Sequence, residues 1–462
     1  MSDLPTAGRS VSRGVTVGRV LCAVPFLYLA SVAVYAIANA SDFATAVPQF
    51  LRYVAAPLIL AGFFVWAAIS QGGKRAAIAG AYGCAVLAAL FLFEAVATSR
   101  LTRSVAANAA SLYAKSEAMA VFRQSPPPGV TARAVAYRIA DERLGTVLLG
   151  AIPHRDTLLC AGDKEHIVSY RADRFGFNNP DDVYAAGALD IAIFGDSFIE
   201  GMCLDQGLDV ASRVREFAPK TASFGFRGAG PLMELAALGR FGPALKPKLS
   251  IVVYFAGNDW ENLEFELRQP WLREALREDA DFGEARVAAS QIDKVEGVIA
   301  GMWGEDEGGM RNYRLQQWRN LFALSQTWAA LGLHYPAVPK RQPEFATVVA
   351  RMRQIAATWG GEVLFVYVPR VERFRGGLAN DFVFDQARRP FFSVIEAEQA
   401  PVIDLTEAFE TDADPLSFYA EDGHFSPKGA AYLASLIIDY ADDRFGDTEE
   451  PEIADADADE GI

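Results

Sequence analysis

The sequence predicts an α/β protein whose parallel sheet is covered by helices on both faces and is preceded by three membrane-spanning helices. Short apolar runs alternate with helical patterns through the second half of the chain, which favours a parallel sheet in a three-layer arrangement. The first hundred residues instead contain three long runs that are almost free of charge. Runs of roughly 20 apolar residues are long enough to cross a bilayer.

The three apolar runs predict spans at about 20–40, 53–73 and 76–97, inside a membrane domain of residues 1–103. Prolines inside the first two runs are tolerated in membrane helices. A cleaved signal peptide is the alternative for the first run, although the run is long for one. Three such runs in succession favour a membrane domain over the buried helices of a soluble protein.

Basic residues predict how these spans are oriented. Arg9, Arg13 and Arg19 precede the first span, and Lys74 and Arg75 lie between the second and third. Cytoplasmic loops are enriched in such residues, so we expect a cytoplasmic N-terminus and an extracytoplasmic C-terminal half. Two arginines just after the third span would favour the opposite orientation, but they are fewer than the basic residues on the other side. The expected location is the inner membrane, with the second half in the periplasm if the source is a diderm bacterium.

The rest of the chain divides by composition. Residues 104–184 are expected to form a linker and lead-in segment, and residues 185–445 the α/β domain. Within that domain, residues 260–333 are too long for a simple crossover and predict a helical insert. Residues 446–462 carry eight acids and no base, more than half of the net charge of −15, which predicts a disordered tail. Five strand-like runs mark the sheet: Ile191–Phe194, Ala222–Phe224, Ile251–Phe255, Val363–Val368 and Val402–Leu405.

A serine follows the first of these runs directly. The run Ile191–Phe194 leads into Gly195, Asp196 and Ser197, which predicts a buried strand that ends in a tight turn. Binding and catalytic sites of α/β sheets lie at this carboxyl edge. A serine hydroxyl is a weak nucleophile until a base takes its proton. Of the four histidines, only His424 has acids just before it and a helix start just after it.

Two further turns lie between the serine and the histidine, each after a strand-like run. With them, four short motifs stand in a fixed order: Gly195–Ser197, Gly228, Gly257–Asp259 and Asp422–His424. In this order the sequence resembles the SGNH, or GDSL-like, hydrolase superfamily over roughly residues 188–445. The resemblance implies a flavodoxin-like three-layer domain and a membrane-anchored serine hydrolase.

The resemblance also implies a role for each residue. Ser197 would be the nucleophile and His424 the general base, with Asp422 orienting the imidazole. Gly228 and Asn258 would donate hydrogen bonds to the oxyanion. Without the resemblance, Ser197 and Asn258 would be helix caps and His424 a surface residue. The coincidence of four motifs favours the catalytic interpretation.

The identity of the acid is left open between two neighbours. Most relatives in this superfamily have the acid three residues before the histidine, where this chain has Glu421. Asp422 lies two residues before His424, a spacing found in a minority that includes periplasmic glycan-acetylation enzymes. We take Asp422 as the acid and Glu421 as its alternative.

These features lead to one expected function and two rivals. The expectation is a serine esterase that removes acyl groups from a cell-envelope glycan or a small ester. The rivals are an acyltransferase that uses the same residues, with a membrane partner supplying acyl groups, and a non-catalytic membrane scaffold. Acyl transfer by serine needs no cofactor. Cysteine and histidine spacings offer no metal motif, and no basic cluster interleaved with aromatic residues points to nucleic acid.

Cys160 and Cys203 are expected to form a disulfide if the second half of the chain is extracytoplasmic. The other two cysteines lie in predicted spans. Two separate buried thiols are the alternative. The insert contains five tryptophans: Trp260, Trp271, Trp303, Trp318 and Trp328. An aromatic-rich insert beside the site would suit stacking on sugar rings, but for Trp318 and Trp328 core packing is favoured.

The predicted orientation has a direct test. A reporter that is active only outside the cytoplasm should be active when fused after Phe445 and silent when fused after Gly73. Both fusions should be measured at matched expression levels. Activity of the Gly73 fusion alone would reverse the orientation.

Overall fold

The computed structural model describes residues 8–43, 47–113, 143–161, 167–185, 187–304, 318–331, 342–375 and 380–445. The acidic tail predicted at 446–462 and the middle of the predicted linker lie outside these ranges. The predicted domain limits therefore stay predictions. All elements of the sheet and of the candidate site lie inside the described ranges.

Three long apolar helices form the N-terminal part. They are α1 (Gly8–Ala38), α2 (Ala56–Ser70) and α3 (Gly73–Tyr113). A π-helical turn, Leu51–Ala55, leads into α2, and two short helices precede it, Ala40–Phe43 and Val47–Phe50. The segments long and apolar enough to cross a membrane are Val15–Ala38, Leu51–Ser70 and Gly73–Ser99. Three candidate spans are therefore confirmed, with limits a few residues from those predicted.

A five-stranded parallel sheet forms the centre of the second half. Its strands are β3 (Ile191–Gly195), β4 (Thr221–Gly225), β5 (Leu249–Phe255), β6 (Glu362–Val368) and β7 (Val402–Asp404). Their order is β4-β3-β5-β6-β7, and every neighbouring pair is parallel. All five predicted strands are present, and the α/β prediction is confirmed.

Helices connect these strands and cover both faces of the sheet. In chain order they are α4 (Ser197–Glu200), α5 (Val210–Phe217), α6 (Pro231–Leu245), α7 (Asp259–Glu266), α8 (Ala289–Gly304), α9 (Ser325–Ala330), α10 (Glu344–Ala357), α11 (Asn380–Ala397), α12 (Leu405–Glu410) and α13 (Pro427–Phe445). A short helix at Pro270–Arg273 and 3-10 turns at Leu144–Thr146, Asp181–Tyr184, Glu274–Leu276, Val371–Phe374 and Pro415–Phe418 complete the described elements.

Alternation along each strand builds two separate cores. Phe194 and Tyr254 point to one face, where they pack with α6, α10 and α11. Ile193 and Val253, one residue away, point to the other face and pack with α5, α12 and α13. A period of two residues is what a strand buried on both faces requires. The result is the predicted three-layer arrangement.

A small antiparallel hairpin precedes the sheet. It consists of β1 (Asp156–Ala161) and β2 (Ile167–Arg171), with an irregular register between Leu158 and Cys160. Cys203 is disulfide-bonded, whereas Cys22 and Cys84 are free thiols. The side chain of Cys160 lies outside the described part of the structure, so its expected pairing with Cys203 stays a prediction.

Candidate active site

Three of the predicted site residues follow three adjacent strands. Ser197 comes after β3, Gly228 after β4 and Asn258 after β5. Because β3 lies between the other two in the sheet, the serine is central and its two expected oxyanion donors flank it. The carboxyl ends of parallel strands meet at one edge, which is where open α/β sheets bind ligands.

Ser197 begins the short helix α4, and Asp196 is its N-cap. The Asp196 carboxylate accepts a hydrogen bond from the Phe198 N–H at 2.9 Å. The turn packs closely against the end of β4, because a Cβ added to Gly225 would lie 2.5 Å from the Glu200 nitrogen. Only glycine permits this approach. The N–H groups of Ile199 and Glu200 donate to the Asp196 carbonyl, so among the described residues the Ser197 N–H is the one at this helix start that has no acceptor.

His424 reaches this turn from the far end of the domain. Its Nε2 lies 2.9 Å from Ser197 Oγ, and its Nδ1 lies 3.0 Å from Asp422 Oδ2. Protonation of the imidazole at Nδ1 satisfies both contacts, since Nε2 then accepts the proton of the serine hydroxyl. The structure thus brings together residues that are 227 positions apart in the sequence.

The loop that carries His424 is fixed by backbone bonds and aromatic rings. The Ala420 N–H donates to the His424 carbonyl at 2.8 Å, and Tyr419 pairs with Phe425 in an isolated antiparallel bridge. The Phe198 ring lies 5.1 Å from the imidazole and 4.7 Å from the Phe425 ring. These contacts hold the imidazole plane against the serine turn.

Asp422 rather than Glu421 contacts the histidine. Its Oδ1 also accepts the His424 backbone N–H at 3.1 Å, so both carboxylate oxygens are engaged. Partial burial raises the pKa of Asp422, but the hydrogen bonds and charge of His424 outweigh it, and the net pKa is lowered. Glu421 is exposed, and within the described residues it makes no hydrogen bond. The geometry favours Asp422 as the orienting acid.

The two expected oxyanion donors differ in how they are held. Gly228 has φ +72°, a left-handed conformation that suits glycine, and lies at a turn on the surface of the site. The Asn258 side-chain amide donates to Asp196 Oδ2 at 3.1 Å. Its second N–H remains for a ligand. Burial raises the pKa of Asp196, and the donors Phe198 and Asn258 partly offset that rise.

Asp196 is thus a positioning residue whose role sequence reasoning did not identify. It caps α4 and orients Asn258, so one carboxylate connects the nucleophile turn to the oxyanion side chain. Its place in the motif, one residue before the serine, was the available signal. The contact with Asn258 spans 62 positions and carries no local signal.

A buried ion pair fixes the Gly228 loop from behind. Glu200 accepts two side-chain bonds from Arg227, at 2.8 and 3.0 Å, and the Arg227 backbone N–H at 2.9 Å. Tyr170 on β2 donates to the same carboxylate at 3.2 Å, and Arg227 also donates to the Leu159 carbonyl at 3.0 Å. The lead-in hairpin is therefore tied to both the serine helix and the oxyanion loop. Sequence reasoning missed this network.

Three buried carboxyl groups lie behind the site. Glu266 accepts the N–H groups of Gly230 at 2.7 Å and Leu232 at 3.0 Å, at the start of α6. Burial, reinforced by the nearby Glu266 charge, raises the pKa of Glu234 well above its usual range. Burial and the Glu234 charge raise the pKa of Asp259 in the same way. Burial therefore favours the protonated form of both carboxyl groups.

A shallow cleft opens beside Asn258. Its lining includes the aromatic residues Trp260, Tyr367 and Phe384 and the charged residues Glu261, Arg370 and Arg373. The cleft reaches the loop that carries Asn258, whereas Ser197 and His424 do not line it.

The insert tryptophans are not a single group. Trp260 and Trp271 are buried in the core. Trp318 is 60% exposed, and Trp328 lies beneath the guanidinium of Arg52 on the membrane side, so core packing is wrong for these two. The side chain of Trp303 lies outside the described part of the chain.

No family model and no curated protein matches the sequence. Solved structures that resemble it include a lipase/acylhydrolase from Enterococcus faecalis, at 15% identity and a TM-score of 0.30, covering 55% of this chain and 96% of that one. A protein of the lipolytic G-D-S-L family from Veillonella parvula shares 12% identity at a TM-score of 0.30, covering 55% and 97%. A two-domain esterase active on acetylated mannans shares 14% identity at a TM-score of 0.29, covering 60% and 55%.

One of these neighbours is described as a member of the lipolytic G-D-S-L family, the family that the sequence motifs resemble. At this level of identity the similarity concerns the fold alone. The chemistry of the site rests on the distances given above.

Substituting the two candidate acids should have different effects on catalysis. Asp422→Asn should lower kcat on an ester substrate by up to about 10⁴-fold, because an amide favours the wrong imidazole tautomer. Glu421→Gln is the matched control and should change kcat by less than about threefold, as expected for an exposed group without a partner. Steady-state kinetics on one substrate compares them, and a larger loss in Glu421→Gln would contradict the assignment.

The buried carboxyl of Glu234 predicts how stability depends on pH. Its raised pKa means that the folded state holds a proton that the unfolded chain releases. Its stabilising contribution is therefore complete below the unfolded pKa, about 4.3, and is lost as pH rises through the folded pKa. Glu234→Gln should make the fall in unfolding free energy above that pH less steep.

Denaturant unfolding at several pH values measures this slope, with the exposed Glu284→Gln as control. The control should keep the slope of the unmodified protein. Equal slopes for Glu234→Gln and the unmodified protein would show that Glu234 is ionised in the folded state.

Proposed function

We propose that this chain is a membrane-anchored serine esterase that cleaves acyl esters at an extracytoplasmic site. The observation that carries the proposal is the chain of contacts Ser197 Oγ to His424 Nε2, at 2.9 Å, and His424 Nδ1 to Asp422, at 3.0 Å. A serine, an imidazole and a carboxylate in this order are the arrangement that activates a serine hydroxyl. A non-catalytic scaffold would have no need of it.

The atoms account for both halves of the reaction. Ser197 Oγ attacks the acyl carbonyl carbon while its proton passes to His424 Nε2. The carbonyl oxygen becomes an oxyanion that the N–H groups of Ser197 and Gly228 and the amide of Asn258 stabilise. The imidazolium returns the proton to the leaving alkoxide. Water then attacks the acyl-enzyme by the same route, releasing the acid and restoring the serine.

Access of water favours hydrolysis over transfer. The side chains of His424 and Asp422 are 23% and 40% exposed, so water reaches the base directly. A transferase that uses the same residues would have to exclude water from the acyl-enzyme. We take the acyltransferase, with a membrane partner that supplies the acyl group, as the second candidate.

The substrate that suits this arrangement is an acylated glycan of the cell envelope. The support is the candidate membrane anchor, the predicted extracytoplasmic orientation and a cleft beside Asn258 with aromatic residues in its lining. Aromatic walls in the cleft suit apolar acyl chains or the faces of sugar rings.

The serine mechanism predicts a graded set of losses. Ser197→Ala should abolish both labelling by a fluorophosphonate probe and ester cleavage, with the thermal melt nearly unchanged. His424→Ala should be comparably inactive, since nucleophile and base act as a unit. Asn258→Ala should keep probe labelling at a rate lower by about 10²-fold, because one oxyanion donor is lost while the base remains.

Ser435→Ala is the matched control, because this exposed serine on α13 lies outside the site. It should label and cleave like the unmodified protein. Full activity of Ser197→Ala on every ester tested would refute the serine mechanism. Release of free acid that requires an added sugar acceptor would favour the transferase instead.

A further inference from the structure

One segment of the α/β half packs against the N-terminal helices. Residues 318–331, which include α9, follow the sheet strand β5 and the helix α8, yet they contact α3 and α1. The contacts lie within the candidate spans Val15–Ala38 and Gly73–Ser99 rather than beyond their ends. This segment is therefore placed at the depth of the bilayer.

Glu94 on α3 is the centre of this contact. Its carboxylate is fully buried, inside a candidate span whose other charged residues, Lys74 and Arg75, lie at its start. It accepts the Thr327 N–H at 2.7 Å, the Thr327 hydroxyl at 2.8 Å and the Gln326 N–H at 3.0 Å. A carboxyl group inside a membrane helix is costly and needs partners. Here the partners come from a segment more than 200 residues away.

Aromatic and cationic contacts extend the same interface. The Tyr28 hydroxyl donates to the Phe322 carbonyl at 3.2 Å, and the rings of Phe91 and Phe322 lie 6.4 Å apart. The Arg52 guanidinium stands 3.9 Å from the Trp328 ring centre. Because Tyr28 lies near the middle of the span Val15–Ala38, the segment reaches deep into the membrane region.

The segment exposes three large apolar side chains, beside the charged Arg319. Trp318, Phe322 and Leu331 are 60%, 62% and 50% exposed, and Arg319 is exposed as well. The spans that the segment contacts also expose large apolar side chains, such as Leu92 and Val96 on α3. Apolar side chains exposed beside helices long and apolar enough to cross a bilayer point to lipid acyl chains as what covers them.

We propose that residues 318–331 form a re-entrant docking segment that lies in the bilayer, held by the buried carboxylate of Glu94 and covered on its outer face by lipid acyl chains. The α/β half would then be fixed to the membrane at a second point besides α3. The Glu94 bonds satisfy backbone groups that lipid cannot, which is the condition for irregular chain at membrane depth. The proposal rests on the spans lying in a bilayer and is independent of the ester chemistry.

The test uses the full chain in nanodiscs. A bimane fluorophore attached to Phe322→Cys should be quenched by lipids brominated on their acyl chains, to an extent similar to bimane on Val86→Cys in the third span. Bimane on Phe265→Cys, at an exposed site on α7, is the control and should not be quenched. Peptide mass spectrometry assigns the label, since the protein has native thiols.

Absence of quenching at position 322 would overturn the proposal, whether the site is in water or covered by protein. A membrane-impermeant maleimide distinguishes those two outcomes, because it labels Phe322→Cys in water and not beneath a second protein surface. Loss of ester cleavage in these variants would concern the proposed function and not the docking segment.

The role of Glu94 is tested separately by hydrogen exchange. Glu94→Leu removes the acceptor for Thr327 and Gln326, so the amides of residues 325–331 should exchange at least tenfold faster. Glu94→Gln keeps one acceptor oxygen and should show a smaller increase. Thr327→Val, which loses only the hydroxyl bond, serves if Glu94→Leu does not fold. Unchanged exchange in both Glu94→Leu and Thr327→Val would refute the role of Glu94.

Discussion

The buried carboxylate of Glu200 is the point on which the site's geometry depends. It lies at the end of the serine helix and binds the side chain and backbone of Arg227, next to the oxyanion glycine. It also accepts the hydroxyl of Tyr170 from the lead-in hairpin. Removing one partner of a buried charge pair destabilises a protein strongly, because the charge that remains is not solvated by water. The separation between Ser197 and Gly228 is thereby set by charge as well as by the sheet.

The order of the strands in the sheet determines where Ser197, Gly228 and Asn258 lie relative to one another. Placing β3 between β4 and β5 puts the serine between two loops that each carry a donor. The histidine cannot be supplied by this edge alone. It comes from a loop after the last strand, which aromatic packing on Phe198 holds against the serine. Asp196 then connects the serine turn to Asn258 through one carboxylate. The site is a composite of local caps and long-range contacts.

The local part of this arrangement was predictable from the sequence. Strands, spans and the motif residues Ser197 and His424 each have a pattern within a few neighbouring residues, such as an apolar run that ends in glycine. The spacing before His424 already favoured Asp422 over Glu421, and the structure adds the contact between the Asp422 carboxylate and the imidazole, which spacing alone does not show. The contacts of Arg227 with Glu200 and of Thr327 with Glu94 could not be predicted. They join positions 27 and 233 residues apart, and the partners have no periodic or motif signal.

The distance in sequence between Ser197 and His424 has a consequence for biosynthesis. Nearly the whole domain must be made before the imidazole exists, and α13, which follows it, must pack before its loop is held. Chains grow at about 5 to 20 residues per second, so at least about ten seconds pass between the synthesis of Ser197 and that of His424. If Ser197 acts as proposed, its hydroxyl has no general base while the unfinished chain emerges. The base is in place only after the His424 loop has packed, so ester cleavage would begin only after the domain is made.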